Sequence, residues 1–188
     1  ANAYDGITLD HSSNNNIYEN NITDHGSGIW LQLSSTNNNI FRNKITMNWR
    51  AGLVLWDSQY NSIYENKIMD SATGIRLYVN SSNNSIYHNS FVNSTSQMCE
   101  FDSASTWDDG YPSGGNYWSD YNGTDLFSGP YQNETGSDGI GDTPYIIDAN
   151  NTDHYPLMNP YVDPPPTPPY VGATMDICPQ TLNLRSKD

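Results

Sequence analysis

Five acidic residues cluster late in the chain: Asp120, Asp125, Glu134, Asp138 and Asp142. The stretch Asp138-Gly-Ile-Gly-Asp142 sets two carboxylates four positions apart, with the Ile140 carbonyl between them. Calcium takes about six to eight oxygens from carboxylates and carbonyls on such bent backbone. Calcium is therefore the cofactor this loop points to; otherwise it is an acidic solvated turn. A second set is aromatic. Trp30, Gln32, Val54, Trp56, Arg76 and Tyr78 occupy the outward places of alternating apolar stretches. Flat rings in a row stack on sugars while Gln and Arg bond hydroxyls, so Trp30, Gln32, Trp56, Arg76 and Tyr78 form a candidate carbohydrate platform. The competing expectation is that a later aromatic-rich segment lies over this face and buries it. Catalysis on sugars needs a charged cluster there. Asp10, Asp57 and Arg76 are the nearby candidates, with no pair of carboxylates at a glycosidase spacing. An enzyme is not expected.

The elements that must position these residues are legible as a repeat. Ile17, Ile40, Ile63 and Ile86 are spaced by 23 residues, as are Asn20, Asn43, Asn66 and Asn89, and Ile22, Ile45, Ile68 and Phe91. Three columns in one register are the mark of a solenoid. Within each repeat apolar residues alternate: Ile29, Leu31 and Leu33 in one, Ile75, Leu77 and Val79 in another. Period-two alternation marks strands with one buried face. Gly6, Gly28, Gly52 and Gly74 precede these strands, where a bend with an unusual backbone angle is expected. Gly52 falls one place late, so its turn gains a residue that the following turn loses.

Short strands at this period define an all-β fold, a right-handed parallel β-helix over residues 1–106, with successive rungs one strand spacing apart. Ile, Leu and Phe columns fill its interior. The Asn20, Asn43, Asn66 and Asn89 column is a structural ladder at a corner, bonding rung to rung. Other asparagines serve left-handed turns. Tyr18, Phe41, Tyr64 and Tyr87 are expected to stack outside, flanked by Glu19, Arg42, Glu65 and His88.

Beyond Trp107 the repeat ends. Residues 107–162, rich in aromatics, Gly and Pro, suit a C-terminal cap over the exposed core. Residues 163–169, "DPPPTPP", read as a stiff spacer, and 170–188 as a strand-like tail that needs a partner: a further module or a neighbouring subunit. Cys99 aligns with the inward Leu53 and is expected to be a buried thiol. A Cys99–Cys178 disulfide requires the tail to return to the last rungs.

With 21 acidic against 7 basic residues and a net charge of -14, the chain has no basic face for nucleic acid. No apolar run is long enough to span a membrane. Asn-x-Ser/Thr acceptors stand at Asn21, Asn80, Asn83, Asn93, Asn122, Asn133 and Asn150, which favours an extracellular or cell-surface setting with N-glycosylation.

The rungs "NSIYENKI" and "NSIYHNSF", with "GGNYWSDY", "DGIGDTPY" and "HYPLMNP", resemble the NosD-like parallel β-helix proteins of archaeal and bacterial surface and periplasmic proteins. The resemblance covers about residues 1–162 and implies β-helix architecture and export. It also implies kinship with carbohydrate-binding and sugar-cleaving β-helices and, for the namesake, a role in copper-site maturation. Copper needs converging imidazole or sulfur ligands. His11, His25, His88 and His154 share no column, and Met47, Met69 and Met98 are equally scattered, so copper handling is not expected. The first functional expectation is a non-catalytic structural surface protein that self-associates head to tail or by strand exchange. The alternative is a glycan-binding module.

Overall fold

The structure, a computed structural model, describes residues 4–100 and 103–162. Three parallel sheets wind about one axis. The longest strands form the first: Ile7–Asp10, Ser27–Gln32, Ala51–Trp56, Thr73–Leu77 and Ser96–Glu100. Asn16–Tyr18, Asn39–Phe41, Ser62–Tyr64 and Ser85–Tyr87 form the second. The third comprises Asn21–Thr23, Lys44–Thr46, Lys67–Met69, Ser90–Val92 and Tyr117–Trp118. This is a parallel β-solenoid of about 23 residues per turn. None of the described residues forms a helix, so none contributes a helix that could cross a membrane.

The apolar columns lie in single interior files. Ile17, Ile40, Ile63 and Ile86 pair in register, as do Ile22, Ile45, Ile68 and Phe91. With Ile29, Leu53 and Ile75 from the long strands they fill a dry centre, stabilised by the removal of apolar surface from water. The late Gly52 behaves as its spacing requires. Ile29 pairs with Leu53, 24 positions on, and Leu53 with Ile75, 22 positions on, so one turn gains a residue and the next loses it.

Each corner repeats one device. A residue with φ near +55° reverses the chain, and the side chain just after it bonds the neighbouring rung. Glu19, Arg42, Glu65 and His88 have φ of 56°, 54°, 56° and 55°. The next residue in each case is a ladder asparagine. Asn20 Nδ2 donates to Asn43 Oδ1 at 3.0 Å, Asn43 to Asn66 at 3.0 Å, and Asn66 to Asn89 at 2.9 Å. Asn66 Nδ2 also reaches the Ile40 and Tyr64 carbonyls, so a buried amide is satisfied on every side. A second ladder, Asn15–Asn38–Asn61–Asn84, runs along another corner with Nδ2 to Oδ1 distances of 3.0, 3.0 and 3.1 Å. It follows the same 23-residue period, a column that sequence reasoning missed. Left-handed backbone costs a non-glycine residue about 1–2 kcal/mol, offset here by the hydrogen bonds it positions.

The glycines before the long strands have another cause than the one expected. None of Gly6, Gly28, Gly52 and Gly74 has a positive φ. A Cβ on Gly28 would stand 2.4 Å from Ile45 Cγ2 and 2.5 Å from the Gly52 carbonyl oxygen. Here glycine supplies space. Two alternation readings also change. Leu33 and Val79 do not continue inward: the long strands stop at Gln32 and Leu77, and these residues lie 38% and 51% exposed at the corner.

The cap closes the coil's upper end. Trp118 stacks on Phe91 with ring centroids 4.6 Å apart, and Tyr145 stacks on Trp118 at 4.4 Å. Trp107 lies beside them, fully buried. The cap also ends both ladders. Asn116 Oδ1 receives Asn89 Nδ2 at 3.0 Å, and Asp153 Oδ2 then receives the Asn116 backbone N–H at 2.7 Å and the Trp118 indole N–H at 2.9 Å. Asn151 Oδ1 receives the Ser105 backbone N–H and the Trp107 indole N–H. A Cβ on Gly115 would stand 1.8 Å from Asp153 Oδ1, so that glycine leaves room for the carboxylate. Burial outweighs these donors and pushes the Asp153 carboxyl up to about 7. The Pro-rich stretch 163–169, the tail 170–188 and Cys178 lie outside the described residues.

Candidate functional site

Among the described residues none covers the groove on the long-strand face, because the described cap packs on the coil's end. The outward files of this face are Trp30–Val54–Arg76–Cys99 and Asp10–Gln32–Trp56. Trp30 and Trp56 are therefore diagonal neighbours on adjacent strands, and their rings sit 6.4 Å apart at 49°. With Tyr78 and Val79 they line an open groove of about 400 Å³. Trp56 is 47% exposed. Val54, expected on the surface, is fully buried: it points outward but is flanked in register by the much larger Trp30 and Arg76.

Polar groups border the groove. Gln32 Nε2 donates to Asp10 Oδ2 at 3.3 Å. Arg76 turns back along its own strand, where Nε and Nη2 donate to Thr73 Oγ1 at 3.0 and 2.8 Å and Nη1 to the Tyr78 hydroxyl at 3.4 Å. Sequence reasoning missed Trp49 and Arg50. The Arg50 guanidinium lies 5.4 Å from the Trp30 ring centre and 5.0 Å from that of Trp49, a cation held between two indoles. The signal was present, since these residues sit in the turn that carries the extra residue.

Cys99 belongs to the outward file, paired with Arg76, and is half-buried. The expected alignment with Leu53 fails because the lost residue moves the register by one, placing Met98 in the Leu53–Ile75 file instead.

The acidic loop is tied by its own backbone. Asp142 accepts from the Thr124 hydroxyl and from the Leu126 and Phe127 N–H groups. Burial raises its carboxyl, but those three donors together outweigh it and hold it below the usual carboxylate range. Asp125 accepts from the Asp138 and Gly139 N–H groups, Asp138 from the Ile140 N–H, and Asp120 from the Tyr145 hydroxyl. Glu134 lies in a short hairpin against Ser128. Among the described residues no group of three or more His, Cys, Asp or Glu side chains could hold a metal ion.

All seven acceptor asparagines, Asn21, Asn80, Asn83, Asn93, Asn122, Asn133 and Asn150, are exposed, whereas Asn43, Asn66 and Asn89 of the ladder are buried. A polar recess of about 490 Å³ in the cap includes His154, whose Nδ1 lies 3.0 Å from Asp108 Oδ2. It offers no stacked aromatic pair.

A family model described as periplasmic copper-binding protein (NosD) matches residues 1–123. The chain belongs to the NosD family, an extra-cytoplasmic family of parallel β-helical proteins. No curated protein and no solved structure matches it significantly. The described imidazoles do not converge on a site for the copper of the family's description. His11 is engaged by Asp10, His88 by Ser113 and the Tyr161 ring, and His154 by Asp108, while His25 opens another turn. These imidazoles sit at separate corners and in the cap, so no copper chemistry is derived from them.

Proposed function

We propose that this chain is a non-catalytic, extra-cytoplasmic glycan-binding solenoid whose long-strand face holds the sugar. One observation carries the reading: Trp30, Trp56 and Tyr78 form an apolar groove that no described segment covers. An indole face stacks on the C–H-rich face of a pyranose, and the flanking Gln32 and Arg76 supply donors for hydroxyls. Diagonal placement leaves ring faces for a ligand, which in-file stacking would consume. Affinity electrophoresis through gels cast with structurally varied polysaccharides tests the proposal. Retardation of the wild-type protein, lost in Trp56→Ala while the variant still unfolds in one cooperative transition, is expected. Unchanged mobility in every gel would overturn it.

Self-association is a second reading, favoured by a different observation. Ile7–Asp10, Asn16–Tyr18 and Asn21–Thr23 are outermost in their sheets, each paired on one side only among the described residues. A second copy seated on that end would form an open heterologous contact. Filaments in electron micrographs of the purified chain support this reading, and a monomer at high concentration removes it.

A further inference from the structure

We infer that the groove selects acidic glycans, and that Arg50 and Arg76 read the sugar carboxylate. The inference rests on the glycan reading above and deepens it. Five basic residues are described, and they are not used alike. Arg42 is bonded to Glu65 at 2.7 Å. Arg50 and Arg76, both on the groove face, form no ion pair with any described carboxylate. Lys44 and Lys67 likewise have no carboxylate partner among the described residues, but they are exposed on the third sheet, whereas these two guanidiniums share the groove face and pack against its side chains.

Both guanidiniums are also held in place. Arg50 is clamped between the Trp30 and Trp49 rings. Arg76 is bent back onto Thr73, with two nitrogens on one hydroxyl. Arg50 directly precedes the strand Ala51–Trp56, and Thr73 opens the strand Thr73–Leu77 that pairs with it. The two cations therefore belong to neighbouring rungs of the groove face, one packed on Trp30 and the other bonded to Tyr78. Planar guanidinium groups pair with carboxylates through charge-assisted, often bidentate bonds, and a preordered side chain loses little entropy in doing so. A sugar ring stacked on Trp30 or Trp56 would bring an equatorial carboxylate to these donors. The chain's net charge of -14 opposes polyanions only at long range, and at physiological salt charges beyond about 8 Å are screened.

The test uses the full chain, an oligouronate and its carboxyl-reduced neutral counterpart, with tryptophan fluorescence as the readout at physiological salt. The oligouronate is expected to bind at least about tenfold tighter than the reduced form. Arg50→Gln together with Arg76→Gln should bring that ratio to about one by weakening the oligouronate far more than the neutral oligomer, and Arg→Lys at both sites should restore part of it. Equal affinity for the two oligomers in wild type overturns this inference and leaves the glycan reading standing. Binding of neither oligomer, in a protein that also ignores every other polysaccharide, removes both. A poly-glutamate peptide that binds as tightly as the oligouronate also overturns it, since charge alone would then suffice.

Discussion

Two aromatic faces of one coil use their rings in opposite ways. On the second sheet Tyr18, Phe41, Tyr64 and Tyr87 lie directly above one another, with centroids 5.0, 5.1 and 5.5 Å apart and planes within 7° of parallel. His88 continues toward the cap by stacking on Tyr161 at 4.6 Å. Each inner ring spends both faces on its neighbours. On the long-strand sheet Trp30 and Trp56 fall in different files, tilt by 49°, and leave ring surface toward solvent. Strict repetition consumes side chains in architecture, and a break in the repeat leaves them available.

That contrast can be broken or sharpened experimentally. The largest effect is expected where every bond is internal. Asn66→Ala removes the partner of the Asn43 N–H and of two carbonyls in a closed corner, and should cost about 3 kcal/mol or more in chemical denaturation. A loss below about 1 kcal/mol would mean that water replaces the amide. Tyr64→Ala removes two stacked contacts and should cost about 2 kcal/mol without altering glycan retardation. Trp56→Ala should do the reverse, abolishing retardation at a cost below about 1 kcal/mol, since the ring is half exposed. If both variants lost stability alike, the two faces would not differ as described.

A smaller effect tests the cap. The folded Asp153 carboxyl is pushed up to about 7, so between its ordinary value and 7 the folded chain holds a proton that the unfolded chain releases. Stability should therefore fall as pH rises through that window, by up to about 1.4 kcal/mol per pH unit, and be fully favourable below it. Asp153→Asn should flatten that slope while lowering overall stability, because the Tyr155 N–H then faces an amide nitrogen or loses its acceptor. The smallest effect is expected in the acidic loop. Its carboxylates already accept backbone N–H groups, so EDTA should leave the melting midpoint unchanged, and a clear drop would assign a cation to Asp125, Asp138 or Asp142.

Much of the coil could be read residue by residue. The Ile17 file, the Asn20 ladder and the Tyr18 stack each follow from a period of 23 residues, because stacking turns a sequence interval into a contact. Left-handed corners were expected at asparagines. Asn14, Asn37, Asn80, Asn83 and Asn93 do adopt them, and the file Glu19, Arg42, Glu65, His88 shows that position in the turn imposes the same angle on other residue types. The site was only half legible. Trp30 and Trp56 could be placed on the outer face, but Arg50 joined them only through the longer turn, and Val54 dropped out beneath its neighbours.

Repetition by itself determined the solenoid, its core files and its ladders, since each requires only that like residues meet one strand spacing apart. Where the repeat slips, one residue gained before Gly52 and one lost after Leu55, a count along the chain no longer names a neighbour. That slip put Cys99 outside and Met98 inside. Beyond Trp107 no period remains. Only the folded cap could decide that Asn151 and Asp153 end the two ladders while no described residue covers the groove, because those contacts join segments that share no interval in the chain.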